Sequence, residues 1–363
     1  TIQGLHSRLN SPAENSLTYT DLASKNLVLI SDEAHHLNTE TKRGKLTRQE
    51  QKELISWEST VSKIFRSNPA NLMLEFTATA PLQHPAVASK YKDKLLFDYP
   101  LSQFRRDGYS KHVEVLQTQL PPAKRALQAL IISQYRSKLF HRQGVQAKPV
   151  ILFKSKTIAD SEAFFKTFTQ NLNQLQAADI DHIRQKANTP IIQEAFAFMD
   201  KHGITSQALA DELRTAFDAN RCLVVHSKND TAQKQLQLNS LEDERNPYRA
   251  VFAVDKLNEG WDVLNLFDIV RLYDTRATQS GKASKTTISE AQLIGRGARY
   301  FPFRLLPDQP RYRRKFDEQP AHPLRSCETL YYHASFNPAY IAQLNQTLVD
   351  KGIRDALPQT VYI

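Results

Sequence analysis

Cysteine is nearly absent from this sequence, which has only Cys222 and Cys327. Two thiols can form neither a disulfide framework nor a four-thiolate zinc site, and their scarcity favours a reducing, cytoplasmic setting. No apolar run approaches the roughly 20 residues that a membrane helix needs, and residues 1–10 lack the apolar core of a signal peptide. We therefore expect a protein that is not exported and has no membrane partner.

The overall composition is that of a folded globular protein. Hydrophobic residues make up 40% of the 363 residues and charged residues 24%, and a chain of this length predicts two domains. The 48 Lys and Arg exceed the 38 Asp and Glu by ten, which favours a polyanionic partner such as DNA or RNA. Many basic proteins bind no nucleic acid, so charge alone does not decide whether this chain binds it.

Short apolar runs separated by helical patterns predict an α/β fold with parallel sheets. Such runs lack polar alternation because parallel strands are buried on both faces. The predicted strands are residues 27–30, 72–76, 150–153, 222–225, 250–254 and 269–272. From 158 to 220 the chain carries about three helical patterns, more than one crossover needs, which indicates a helical insertion.

Proline marks the expected domain boundary. Pro121 and Pro122 precede an amphipathic helix that includes Ala126 and Leu139, so we place the linker there. The prediction is a first domain at 1–120, a second at 121–303 and an extension at 304–363. The extension begins as a Pro-rich, basic segment, followed by a helix over 338–351. We find no internal repeat and no low-complexity tract.

The strongest chemical signal is the pair Asp32 and Glu33, directly after a predicted strand and followed by Ala34, His35 and His36. Ligands of open α/β sheets gather at the carboxyl ends of the strands. Such a pair can hold Mg²⁺ and orient an attacking water. Two alternatives remain open at this point, a solvated acidic turn and a metal site of His35, His36 and Glu40.

Several motifs together resemble the motors of helicase superfamily 2. Residues 32–35, Asp-Glu-Ala-His, are similar to the Walker B motif of that family, and four further segments follow in the expected order. These are residues 76–80 (motif III), 149–156 (motif IV), 259–262 (motif V) and 292–299 (motif VI). The resemblance implies two RecA-like domains, ATP and Mg²⁺ as cofactors, and nucleic acid as partner.

The resemblance also implies roles for individual residues. Asp32 and Glu33 would bind Mg²⁺ and activate water, and His35 would touch the opposite domain. Arg296 and Arg299 would be arginine fingers, since a guanidinium offers a planar fork of donors to the γ-phosphate. The remaining assignments are Gln292 in the catalytic motif VI, Gly260 and Asp262 at the nucleotide ribose, and Thr77, Ala78 and Thr79 in coupling nucleotide state to strand binding.

Motif VI has a structural alternative, because an arginine pair on a helix is often only a solvated basic face. Gly295 and Gly297 beside the arginines favour the functional interpretation, since they would let a ligand approach the backbone. We then expect the carboxylate pair Asp32 and Glu33 and the guanidinium pair Arg296 and Arg299 to face the same triphosphate.

Five residues after predicted strands are candidate phosphate contacts. They are Lys154, Ser155 and Lys156 after one strand, and Ser227 and Lys228 after another. Superfamily 2 motors hold the nucleic-acid backbone with such residues. A solvated loop is the equally weighted alternative.

Within the superfamily, the sequence of these motifs is most similar to that of the motor (Res) subunit of type III restriction enzymes. That family works with a modification methyltransferase subunit. No GxxxxGK[ST] loop for the phosphates is present, so we expect a first domain truncated at its N-terminus and negligible ATP hydrolysis by these 363 residues alone. We also see no nuclease motif. The alternatives are a stand-alone DNA or RNA helicase, or a nucleic-acid-binding remnant that does not hydrolyse ATP.

Overall fold

The structure is a computed structural model that describes residues 2–11, 16–32, 34, 48–77, 85–226, 231–254, 261, 263–274 and 284–356. The chain divides into two compact units, unit 1 at Thr1–Pro100 and unit 2 at Leu101–Ile363. Within the described ranges, no helix has both the length and the apolar character that a membrane crossing requires.

Unit 1 holds a parallel pair of strands and four described helices. The strands are β1 (Val28–Ser31) and β2 (Leu72–Glu75), and the helices are α1 (Ile2–Asn10), α2 (Tyr19–Ala23), α3 (Arg48–Arg66) and α4 (Pro85–Tyr91). Along both strands exposed and half-buried residues alternate. The prediction of burial on both faces is therefore wrong for β1 and β2. Successive side chains point to opposite faces, so a face left uncovered exposes every second residue.

Unit 2 is built on a six-stranded sheet. Its strands are β3 (His112–Thr118), β4 (Val150–Lys154), β5 (Cys222–Val225), β6 (Ala250–Ala253), β7 (Leu266–Arg271) and β8 (Thr329–Ser335). Its helices are α5 (Leu101–Arg106), α6 (Pro122–Arg142), α7 (Ile158–Asn173), α8 (Ala177–Gln185), α9 (Pro190–Lys201), α10 (Ser206–Ala216), α11 (Ala232–Asn239), α12 (Lys285–Gly297) and α13 (Pro338–Asp350). Short 3-10 turns lie at Ala219–Arg221 and Pro323–Glu328.

The strand order is β3-β8-β7-β4-β6-β5, and every adjacent pair is parallel. This arrangement confirms the predicted α/β class with parallel sheets. Strands β4, β6 and β7 are buried at every residue, as expected for central parallel strands covered on both faces. Helices α7 to α10 lie between β4 and β5 in the chain and form the predicted helical insertion, with four helices instead of three.

The core beneath α6 contains charge as well as apolar side chains. Arg136 of α6 donates from Nη1 to Oδ2 of Asp268 at 2.6 Å, and His333 Nε2 lies 3.0 Å from Oδ1 of the same carboxylate. All three residues are at most 1% exposed. A buried charge is costly unless it is paired and hydrogen-bonded, so Asp268 ties α6, β7 and β8 together.

The unit boundary and the predicted extension differ from the sequence-based expectation. The chain divides after Pro100, before the linker expected at Pro121, because β3 pairs with β8 along seven residues of each strand. Strand β8 in turn lies between β3 and β7. The segment after 303, expected to be an appended region, thus supplies an inner strand of the sheet.

Candidate functional site

Helix α12 presents one polar side away from the core. Its first turn is capped by Ser284, whose Oγ accepts from Thr287 N at 3.0 Å, and its buried side includes Ala291, Leu293 and Ile294. Gln292 is exposed and Arg296 is half-buried, and Arg299, just beyond the end of the helix, is exposed. Residues three or four apart share a helix side. Gln292 and Arg296 therefore lie together on the accessible side of α12, and the exposed Arg299 follows two residues after the helix.

Arg296 also connects motif VI to motif V. Its Nη1 donates to the carbonyl oxygen of Trp261 at 3.4 Å. Trp261 is 3% exposed, and its Nε1 donates to Leu238 O at 3.3 Å. The indole is thus fixed between α11 and the segment before β7, and the carbonyl beside it receives the guanidinium.

The C-terminal end of α12 is held by Lys111, a residue that sequence reasoning missed. Its Nζ donates to the carbonyl oxygens of Leu264 and Leu266, both at 2.7 Å, and of Gly297 at 2.9 Å. Its side chain is completely buried, and burial lowers the pKa of Lys111 well below its usual value. Three carbonyls match the three donors of an ammonium group, and a cation at a helix C-terminus is favourable.

Backbone contacts reinforce this anchor. Lys111 N donates to Ala298 O at 2.6 Å, and Ser110 forms an isolated antiparallel bridge with Arg299. The backbone that carries Arg299 is therefore fixed by the segment that precedes β3. No sequence pattern marks this contact, because the partners, Ser110 and Arg299, lie far apart in the chain.

The inner side of α12 is fixed by a buried carboxylate. Glu290 Oε1 accepts from Arg271 Nε at 2.9 Å and from Tyr273 Oη at 2.6 Å, and Oε2 accepts from Tyr332 Oη at 2.9 Å and from Tyr340 Oη. Burial raises the pKa of Tyr332 well above its usual range, with the Glu290 charge acting in the same direction. Four donors satisfy one carboxylate, so this network orients α12 on β7, β8 and α13.

The glycines beside the arginines serve packing, so the interpretation of ligand approach is corrected. A Cβ at Gly297 would lie 3.0 Å from Leu266 Cδ2, 3.1 Å from Leu330 Cδ2 and 3.4 Å from Ile269 Cδ1. A Cβ at Gly295 would meet the end of the Ile353 side chain at 3.0 Å. Gly297 thus allows α12 to lie directly on β7 and β8.

In unit 1, the end of β1 meets the end of β2. Asp32 follows β1 and is exposed, and Thr77 follows β2 and is half-buried. Phe76 N donates to Ser31 O at 2.8 Å, and Ala34 N donates to Phe76 O at 2.9 Å. Motifs II and III are therefore adjacent at the carboxyl edge of this strand pair.

Burial separates the candidate phosphate contacts after β4. Lys154 is 3% exposed and Ser155 2% exposed, and Lys154 Nζ donates to Val254 O at 2.9 Å. This burial does not fit the predicted contact of these two residues with phosphate. Lys156 is exposed and remains a candidate.

The other predicted site residues lie outside the described residues. They are Glu33, His35, Ala78, Thr79, Ser227, Lys228, Gly260 and Asp262. The alternative metal site of His35, His36 and Glu40 also lies there. Among the residues that the structure does describe, no group of three or more His, Cys, Asp or Glu could hold a metal ion.

Two family models match parts of the chain. Residues 1–82 match the model described as type III restriction enzyme, res subunit, and residues 286–356 match one described as the HI_1054_N N-terminal region. A Haemophilus influenzae protein named as the probable type III restriction-modification enzyme HindVIP Res subunit is 34% identical over 334 residues. The match covers 80% of this chain, which spans 64% of that relative.

Solved structures overlap more weakly. The ATP-dependent Type ISP restriction-modification enzyme LlaBIII bound to DNA gives a TM-score of 0.40 at 12% identity, over 97% of this chain and 22% of that one. S. cerevisiae Dbp5 bound to RNA and ADP BeF3 gives 0.39 at 10% identity, over 89% and 57%. The fold class rests on the strand order and register given above. The sequence matches confirm the predicted resemblance, and the chain is related to the Res subunits of type III restriction enzymes.

Proposed function

We propose that this chain is the motor portion of an ATP-dependent DNA translocase of a type III restriction system, built on RecA-like domains. The observation that carries the proposal is the accessible side of α12, with Gln292, Arg296 and Arg299, in a chain related to Res subunits. A guanidinium pair held at the C-terminal end of an anchored helix suits the stabilisation of charge on phosphate oxygens. DNA and a methyltransferase subunit are the proposed partners, with RNA as the alternative nucleic acid.

The available residues fit a complex of ATP and Mg²⁺. Asp32 is exposed at the end of β1, and carboxylate oxygens are ligands that Mg²⁺ prefers. When bound, the nucleotide supplies the γ-phosphoryl group that is transferred to water. Asp32 would hold the ion, Glu33 would orient and deprotonate the water, and Arg296 and Arg299 would donate to the phosphate oxygens. Gly260 and Asp262 would contact the ribose, and Thr77 would couple nucleotide state to the strand.

The test measures DNA-stimulated ATP hydrolysis in a polypeptide that contains these residues together with a GxxxxGK[ST] segment. Arg296→Lys or Arg299→Lys keeps the charge but loses the planar fork, so kcat should fall on the order of 10³-fold while KM for ATP changes little. The control is Arg245→Lys, an exposed arginine paired with Asp243, which should leave kcat unchanged. Retention of kcat within about twofold in both motif VI variants would remove the proposed role.

A further inference from the structure

The segment 304–315 begins the Pro-rich, basic region of the chain, and the motor motifs assign it no function. It contains five Arg or Lys and a single acidic residue, Asp308. Most of its cations remain at the surface: Arg304, Arg311 and Arg313 are exposed, and Tyr312 between the last two is 62% exposed. A strongly basic, exposed strip with an aromatic side chain is typical of a surface that binds a polyanion.

One buried arginine fixes this strip to the segment before β3. Arg314 N donates to Gly108 O at 2.9 Å, and its guanidinium donates to Arg105 O at 3.0 Å and to the Asp317 carboxylate at 2.7 Å. Gly108 has φ +86°, and a Cβ there would lie 3.4 Å from Arg314 N. The positive φ, together with this close approach, favours glycine at 108.

This attachment brings a second set of basic and aromatic residues alongside the strip. The Arg313 guanidinium stacks 4.5 Å from the Tyr109 ring centroid and donates to its hydroxyl. Arg311 lies 5.8 Å from the Tyr312 ring centroid, and Arg106 is exposed on α5. We call these five residues the arginine–tyrosine surface. The rings restrict the guanidinium groups, which lowers the entropy lost when they bind an anion.

We propose that the arginine–tyrosine surface binds the phosphate backbone of nucleic acid, as a contact additional to those assigned to the motor motifs. Its residues Arg106 and Tyr109 precede β3, so the surface lies at the amino edge of the parallel sheet, next to the bridge between Ser110 and Arg299, whereas Lys156 follows β4 at the carboxyl edge. Five strand residues at roughly 3.3 Å each separate the two edges by about 17 Å. The choice of nucleic acid over an acidic protein as the partner rests on the proposed function.

The experiment measures binding of the 363-residue chain to a short fluorescein-labelled DNA duplex by anisotropy, across a series of salt concentrations. Arg311→Gln combined with Arg313→Gln should flatten the slope of log K against log salt by about 2, because each phosphate contact contributes roughly 0.9. The matched control is Arg184→Gln with Arg214→Gln, which removes two charges from the helical insertion, where both arginines are already ion-paired. That control should leave the slope unchanged.

The other outcomes overturn the inference in distinguishable ways. An unchanged slope in the Arg311 and Arg313 variant, with Lys156→Gln lowering it, would remove this surface and leave the proposed motor intact. Absence of duplex binding by the native chain would also overturn it, without bearing on the kcat test of Arg296. If a polyglutamate of equal charge competes as well as unlabelled duplex, the partner is an acidic protein instead. Equal unfolding midpoints of the variants show that each is folded.

Discussion

Replacing Gly297 by alanine tests how closely α12 must approach the sheet. The added methyl group would enter a space bounded by Leu266, Ile269 and Leu330, at 3.0–3.4 Å from their terminal carbons. All three side chains are completely buried, so none can move into solvent to make room. Gly295 provides a matched comparison on the same helix, because among the described residues a Cβ there would meet only the end of the Ile353 side chain.

The two substitutions should change the unfolding free energy in opposite directions. Overpacking of a full core costs about 1–3 kcal/mol, and alanine is favoured over glycine inside a helix by about 1 kcal/mol. For Gly297→Ala the expected net change is a loss of about 0–2 kcal/mol of unfolding free energy. For Gly295→Ala the side chain of Ile353 can shift, so a gain of up to about 1 kcal/mol is expected.

Urea unfolding of the chain, followed by circular dichroism, measures the two changes directly. With an unchanged m value, a lower midpoint for Gly297→Ala than for Gly295→Ala supports the packing role. If Gly297→Ala proves as stable as Gly295→Ala or more so, α12 does not require the close contact. The glycines would then need another explanation, such as the ligand approach that the sequence first suggested.

Two further predictions concern one buried lysine, Lys111, and one half-buried lysine, Lys148. Lys111→Met leaves three carbonyl oxygens without their ammonium donor, so thermal unfolding should show a loss of about 3 kcal/mol or more in unfolding free energy. The control, Lys124→Met, removes a surface ion pair with Asp179 and should cost under about 1 kcal/mol in the same assay. Burial lowers the pKa of Lys148 to about 8, so the folded chain binds fewer protons than the unfolded chain between about pH 8 and pH 10, and stability rises with pH there by less than about 1.4 kcal/mol per unit. Lys148→Met should remove that rise, and an unchanged pH profile would contradict the assignment.

The central strands were predictable because they are continuous apolar runs, and the residues of β4, β6 and β7 are buried throughout. Strand β3 was missed, since it lies at the edge of the sheet and mixes half-buried and buried positions. Strand β8 was missed for a different reason. Its Tyr332 and His333 look polar in the sequence, but Glu290 and Asp268 satisfy them inside the core.

The same distinction applies to the candidate site. The motif VI pattern identified Gln292, Arg296 and Arg299 as candidates, and local spacing places Gln292 and Arg296, four residues apart, on one side of α12. It could not predict what holds that helix, since the anchors Lys111 and Glu290 find their partners through the fold. Long-range contacts of this kind depend on strand order, and the sequence-based boundary at Pro121 had assigned Lys111 to the other domain.

The anchors of α12 explain how the backbone that carries Arg296 and Arg299 is held in position. Ser284 caps the first turn, Glu290 accepts four hydrogen bonds on the inner side, and Lys111 binds the last carbonyl. With both ends and the inner side fixed, the backbone loses little further entropy when a guanidinium donates to an anion.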